Sequence, residues 1–405
     1  MTKEELQNKA IKDLEEKKRV ILAWPTSLGK GYVGAKIIAD TILNKSSHKR
    51  VLLVVAETLH KENWRKEFVK QGFDSLYDRI TVECYASLKN YTNTNWDLIV
   101  FDEMHHLFTE NKFDILLSIN SERVLGLSAT IPMILVNTIA AKFGEFVVSR
   151  VSLNEAFENG WLPEPKIYLI PLTFNTNKNN QVYIKEWGHK KKRKEISCNF
   201  SERWTYLKNR TLYPDVKLCI SCNEWQKYLL ISEEISYLQK VAFMTRNQAR
   251  KNIWMQACSQ RKKFLGELKT DIARKFLSKF EDKRYICFCT NIEQAESLNF
   301  ANCIHSQKNN NQEIVNNFNN GDINSLFAIG MAQEGMNLTD IEAEIMIQLD
   351  GSERAIIQKW GRALRAYKPE IYIFYYPQTR DEEYLKKAIE GINKEYLETL
   401  DINKI

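Results

Sequence analysis

The sequence predicts an α/β protein built on parallel sheets flanked by helices, and three observations carry that prediction. Leu98 to Phe101 is an apolar run that passes straight into Asp102 and Glu103, with Met104, His105 and His106 behind them. Arg19 to Ala23 is a second short run, followed by Trp24-Pro25-Thr26-Ser27-Leu28-Gly29-Lys30-Gly31 and then by helical spacing from Tyr32 to Asn44. Near the end, Ile371 to Tyr376 repeats the run. Unbroken apolar runs without alternation belong to strands buried on both faces, as in a parallel sheet.

From the N-terminus, the first element with chemical content is the loop after Arg19–Ala23. Strand, small-residue loop, Gly29-Lys30 and helix form a phosphate-cradling order. Backbone N–H groups and the helix N-terminus face the phosphates, and Lys30 adds a fixed positive charge. Val33, Ile37, Ile38 and Ile42 mark the buried side of the helix. The acidic pair is the second element. Two ionised carboxylates at a strand end are costly to bury uncompensated, and a divalent cation plus a water to be activated would compensate both. A solvated acidic turn is the plain alternative, and the loop upstream weighs against it. One position departs from the pattern: Gly31 stands where a Ser or Thr hydroxyl would ligate the metal, and Ser27 replaces a customary glycine.

Length and composition set outer bounds. The chain has 405 residues, 44% hydrophobic, enough for two or three domains with real cores. Its longest apolar runs are too short to span a bilayer, so no membrane partner is expected. The charged start Met1-Thr2-Lys3-Glu4-Glu5 is unlike a signal peptide. Eight scattered cysteines suit reduced thiols, and the cytoplasm of a prokaryote or of a virus-infected host is the expected location. A net charge of +7 is compatible with a polyanionic partner.

Further segments resemble, in order, the superfamily 2 (DExH-type) helicases and translocases, closest to the type III restriction-like and recombination-type DNA branch. Leu6 to Ile11 resembles the adenine-reading glutamine segment. Val51 to Leu59 with Asn63-Trp64, and Cys84 to Leu88, resemble segments that contact nucleic acid. Asp102-Glu103-Met104-His105 is a variant DExH box, and Gly126 to Thr130 matches the Ser-Ala-Thr motif. Leu153 to Pro163 is similar to an inter-domain connection. In the second half Tyr285 to Asn291, Ile304-His305-Ser306, Ala328 to Leu338 and Gln358 to Arg365 resemble motifs IV to VI. The resemblance implies two RecA-like domains with a mostly helical insertion. The expected boundaries are 1–150 for the first domain, 151–175 for the connection and first strand, 176–275 for a basic insertion and 276–405 for the second domain.

The resemblance also implies roles. ATP would lie on Pro25, Thr26, Ser27, Leu28, Gly29, Lys30 and Gly31, with Glu334 and Gly335 nearby and Gln7 on adenine. Gln7 also reads as a surface residue of a starting helix. Asp102 would orient Mg2+ and Glu103 would deprotonate the attacking water. Gln358, Arg362 and Arg365 would complete the cleft; the two arginines, three apart, share a helix face and suit a triphosphate. His105, Ser128 and Thr130 would couple nucleotide to nucleic acid, although His105 reads equally as a structural histidine. Glu57, Thr58, Ser87, Asn291 and Asn337 would touch nucleic acid.

The insertion carries Lys191, Lys192 and Arg193 in a basic cluster, with Trp187, Phe200, Trp204, Tyr206 and Tyr213 around it. Basic groups among aromatics suit phosphate contact and base stacking, and a solvated loop beside a small core is the alternative. Cys219 and Cys222 have the spacing of a zinc knuckle, with Cys198 upstream, but no second close pair follows. Together these readings predict an ATP-dependent helicase or translocase on double-stranded or branched DNA. The chain is expected to be monomeric, with a partner nuclease or replication and recombination proteins in view. An RNA helicase and a nucleotide-gated switch with little turnover, suggested by Gly31, are the rivals.

Overall fold

Strands β1 (Arg19–Ala23), β2 (Val51–Val55), β3 (Thr81–Cys84), β4 (Asn95–Phe101), β5 (Asn120–Ser128) and β6 (Val147–Arg150) form one sheet in the order β3-β2-β4-β5-β1-β6. Every pairing in it is parallel. The computed structural model describes residues 1–43, 49–108, 118–177, 179–187, 194–209, 212–213, 216–280, 282–329, 338–349 and 368–402. β2 is buried along its whole length and β4 from Leu98 to Phe101, because helices cover both faces of the sheet. Helix α1 (Lys3–Lys17) starts at a capping box in which Thr2 and Glu5 satisfy each other's backbone N–H. Helix α2 (Lys30–Leu43) buries Val33, Ile37, Ile38 and Ile42, and α3 (Thr58–Lys70) buries the i, i+4, i+8 stripe His60, Trp64, Phe68.

Between the sheets, β7 (Lys166–Pro171) is followed by β8 (Asn180–Trp187), β9 (Lys194–Asn199) and β10 (Val216–Cys222). The last three make a small sheet of their own, in the order β8-β10-β9. Helices Glu224–Thr245 and Gln248–Leu268 then fold against each other as a hairpin, and Thr270–Leu277 leads into the second lobe. The segment expected to be mostly helical thus carries a three-stranded sheet before its helices. Cys219 and Cys222 lie on β10, where side chains alternate, so their spacing of three sends them to opposite faces. Cys198 and Cys222 pack in a small apolar core with Leu218 and Ile220, and burial pushes both thiols upward. Among the described residues these cysteines do not form a metal-ligand cluster.

The second large sheet is completed by β11 (Tyr285–Phe288), β12 (Cys303–Ile304), β13 (Ser325–Ala328), β14 (Ala343–Met346), β15 (Glu370–Tyr375) and β16 (Leu397–Thr399). Its order is β12-β13-β11-β14-β15-β7-β16, again parallel throughout. After β15 the charged segment forms helix Arg380–Ala388; Gly391 at φ +77° turns the chain, and Leu397 begins β16.

A buried ion pair ties the insertion to this sheet. Lys269, at the start of helix Thr270–Leu277, is fully buried, and its Nζ lies 2.6 Å from Asp381 Oδ2. The same ammonium donates to the carbonyls of Ile347 (2.7 Å) and Phe374 (3.0 Å). Gln348 Nε2 donates to the other carboxylate oxygen of Asp381 at 2.8 Å. Burial draws the Lys269 ammonium below the usual lysine range, with Asp381 opposing.

The connection between the lobes is itself packed. Helix Leu153–Glu158, capped by Ser152, lies against the C-terminal residues. Asn154 Nδ2 donates to Asn393 Oδ1 at 3.1 Å and to the Gly391 carbonyl, and the Phe157 ring meets Tyr396 edge-on at 5.3 Å. On the other side Trp161 Nε1 donates to the Met1 carbonyl at 2.9 Å.

Candidate nucleotide site

Strand register assembles the site. Ala23 pairs with Ser128 and Phe101 with Gly126, so the residues that follow β1, β4 and β5 emerge together at the carboxyl edge of the first sheet. Ligands of open α/β sheets bind at that edge. The loop after β1 is held from below by Trp24 N to the Ser128 carbonyl at 3.1 Å and from the side by α1. Gln7 Nε2 donates to the Leu28 carbonyl at 2.9 Å, and Lys3 Nζ to the Ser27 carbonyl at 2.8 Å. Ser27 and Gly29 both have positive φ, 72° and 88°. A Cβ on Gly29 would lie 2.3 Å from Gln7 Nε2. Gly29→Ala is therefore expected to strain the loop by about 1–3 kcal/mol and to weaken nucleotide binding, read by titration with a fluorescent ATP analogue. Unchanged affinity would show that the loop can do without its glycine.

Lys30 opens α2, and its Nζ donates to the carbonyls of Trp24 (2.7 Å) and Pro25 (3.3 Å). Burial lowers this ammonium below its ordinary range, while Glu103 and Asp102 pull the other way. Gly31 needs neither special backbone nor special room: a Cβ there meets only Glu67 Cγ, at 3.8 Å. The missing hydroxyl is thus not dictated by space.

Past β4, Asp102 N donates to the Val54 carbonyl at 2.8 Å, and Glu103 sits at φ +49°, a strained conformation for a side-chain-bearing residue. Burial alone would raise the Glu103 carboxyl, but His105, Lys30 and His60 outweigh it and bring it down to about 2. Its Oε2 is buried and pairs with His105 Nδ1 at 3.3 Å. His105 Nδ1 also stands 3.1 Å from Ser128 Oγ, which donates to the Thr130 carbonyl at 2.6 Å. Glu103, His105, Ser128 and Thr130 are therefore one continuous polar chain. Asp102 is held by groups to which sequence reading assigned no such part: Trp64 Nε1 donates to Oδ2 at 2.8 Å, His60 Nδ1 lies 3.7 Å from the same oxygen, and the Tyr85 hydroxyl donates to the Asp102 carbonyl at 2.8 Å. Trp64 and Tyr85, read from the sequence as parts of segments that contact nucleic acid, are buried and bonded to Asp102.

Glu57 and Thr58 are exposed at the start of α3, and Ser87 is half-buried in the turn after β3, all at the same sheet edge. Asn291 follows β11 in the second lobe, where its side chain caps helix Ile292–Asn299 by accepting from Gln294 N at 2.8 Å. Glu334, Gly335, Asn337, Gln358, Arg362, Arg365, Lys191, Lys192 and Arg193 lie outside the described residues. Elsewhere, Glu296, Cys303 and His305 approach one another. The Lys308 ammonium stands 3.5 Å from the Cys303 sulfur, a position at odds with a bound cation. Among the described residues no helix is long and apolar enough to cross a membrane.

Comparison with known proteins agrees with this geometry. Residues 1–133 match the family described as type III restriction enzyme, res subunit, and residues 268–367 match the helicase conserved C-terminal domain. The chain is 26% identical over 398 residues to the DNA 3'-5' translocase XPB2 of Sulfurisphaera tokodaii, covering 91% of this chain and 79% of that protein. In fold it is similar to S. cerevisiae Dbp5 bound to RNA and ADP BeF3, with TM-score 0.60 at 9% identity over 98% of this chain and 90% of that one. A variant of the same yeast protein gives TM-score 0.61, over 99% and 90% of the two chains. Two parallel RecA-like sheets and the two family matches in order place the chain among the superfamily 2 helicases, in the branch related to type III restriction enzymes.

Proposed function

We propose that this chain hydrolyses ATP to move along or remodel nucleic acid, with double-stranded or branched DNA as its preferred substrate. The observation that carries the reading is the convergence of Lys30, Asp102, Glu103 and the His105–Ser128–Thr130 relay on one sheet edge. Lys30 would release its loop carbonyls to hold the β- and γ-phosphates. Glu103, ionised and buried beside His105, would orient the attacking water and receive its proton. The donor set fits Mg2+ held by Asp102, with waters in place of the hydroxyl absent at Gly31; when bound, it would neutralise phosphate charge. Gln7 already touches the loop on which adenine would rest. His105 is the group through which Glu103 would sense the second lobe, whose Gln358, Arg362 and Arg365 are assigned to the same cleft.

The preference for DNA rests on the named activity of the Sulfurisphaera tokodaii relative. The insertion supports engagement of a polyanion: from Ile235 to Gly266 it holds Lys240, Arg246, Arg250, Lys251, Arg261, Lys262 and Lys263 and no carboxylate. The test is a panel of duplex DNA, single-stranded DNA and RNA as stimulators of phosphate release. Duplex DNA is expected to stimulate most. Greater stimulation by RNA would favour the RNA-helicase reading, and background rates with all three would leave a nucleotide-gated switch.

A further inference from the structure

Trp64 and Gly31 explain each other. In loops of this type a hydroxyl after the lysine and the aspartate at the strand end share the cation. Here residue 31 offers no oxygen, so Asp102 is the one side chain of that pair left to hold it. Asp102 is also unusually well fixed. The Trp64 indole N–H reaches its Oδ2 at 2.8 Å, with the His60 ring 3.7 Å away on the same oxygen. The indole is buried, and it is seated against α2 at Gly34, where a Cβ would lie 2.6 Å from Trp64 Cη2. Gly34 thus admits the ring, α3 delivers it, and its only polar atom points at the carboxylate.

We propose that Trp64 is a positioning residue for the cation: it locks the Asp102 carboxylate in one orientation and so offsets the ligand missing at Gly31. This rests on the reading of Asp102 as the cation's carboxylate. Hydrogen bonds to a ligating carboxylate commonly shift metal affinity by about 10–100-fold.

The experiment measures the Mg2+ concentration that half-saturates binding of a fluorescent ATP analogue to the full chain, alongside binding in EDTA. Trp64→Phe is expected to raise that Mg2+ requirement about 10-fold and to leave EDTA-state binding unchanged. Gly31→Thr, for which there is room, is expected to lower the requirement in the wild-type background, to rescue Trp64→Phe, and to leave turnover equal or higher. A merely structural tryptophan would lower binding in EDTA as well and would not be rescued. An unchanged Mg2+ requirement in Trp64→Phe, with the nucleotide still bound, overturns the proposal and leaves the nucleotide site intact. Absence of nucleotide binding in the wild type would instead sink the functional reading itself. Should Trp64→Phe fail to fold, the indole N–H signals decide. One of the nine tryptophans is expected to show a slowly exchanging N–H that loses protection in Asp102→Ala; no such change overturns the proposal.

Discussion

Glu103→Gln is expected to abolish nucleic-acid-stimulated ATP hydrolysis, lowering kcat by about 10²–10⁴-fold, while nucleotide still binds. The carboxylate is replaced by an amide of the same shape, so the φ +49° turn and the contacts of Met104 beneath it stay in place. What disappears is the charge. With its acidity drawn down to about 2 by His105, Lys30 and His60 against the opposing effect of burial, Glu103 is ionised throughout the neutral range. The neutral amide accepts no proton. It also removes one negative charge from the edge where the triphosphate would lie, while Asp102 continues to support the Lys30 ammonium, so ATP affinity is expected to hold or rise. Rapid-quench phosphate release and equilibrium binding of an ATP analogue check the two halves. Retained turnover would remove Glu103 from the role of base.

The second large effect is on stability. Lys269→Ala is expected to cost about 3–5 kcal/mol, because it leaves the Asp381 carboxylate buried without its cation and the carbonyls of Ile347 and Phe374 without their donor. Denaturant unfolding of the full chain, followed by circular dichroism, reads it as a lowered midpoint. The double replacement Lys269→Met with Asp381→Leu is expected to recover only the share due to the unpaired carboxylate, since the carbonyls of Ile347 and Phe374 and the Gln348 amide stay buried without their partners. A single-variant cost below about 1 kcal/mol, the value of an exposed pair, would mean that water reaches the site.

The first lobe was legible because its signals are local. An unbroken apolar run marks a two-sided strand, and Gly29-Lys30 and Asp102-Glu103 sit immediately after such runs. What sequence could not supply was pairing between distant segments. Trp64 and Asp102 are 38 residues apart, and their hydrogen bond depends on Gly34 in a third element. Nothing in α3 alone separates a tryptophan that fills a core from one that also aims its N–H at a carboxylate. Lys269 and Asp381 are hidden for the same reason, each looking like a surface charge on a polar helix. The small sheet was missed because Cys219 and Cys222 drew attention as a spaced pair, whereas the alternation of Val216, Leu218 and Ile220 is the signal that β10 obeys.

The packed connection between the lobes has a consequence for any motion there. With Asn154 and Phe157 seated on Asn393 and Tyr396, and Trp161 bonded to Met1, the crossing is a bearing rather than slack tether. Between the end of β6 at Arg150 and the Ser152 cap stands only Val151, itself buried with its N–H on the Ala23 carbonyl at 3.2 Å, so the crossing has no slack residue. Any relative motion of the two bodies must therefore work against this packed joint, and Asn393 and Tyr396 form half of its socket.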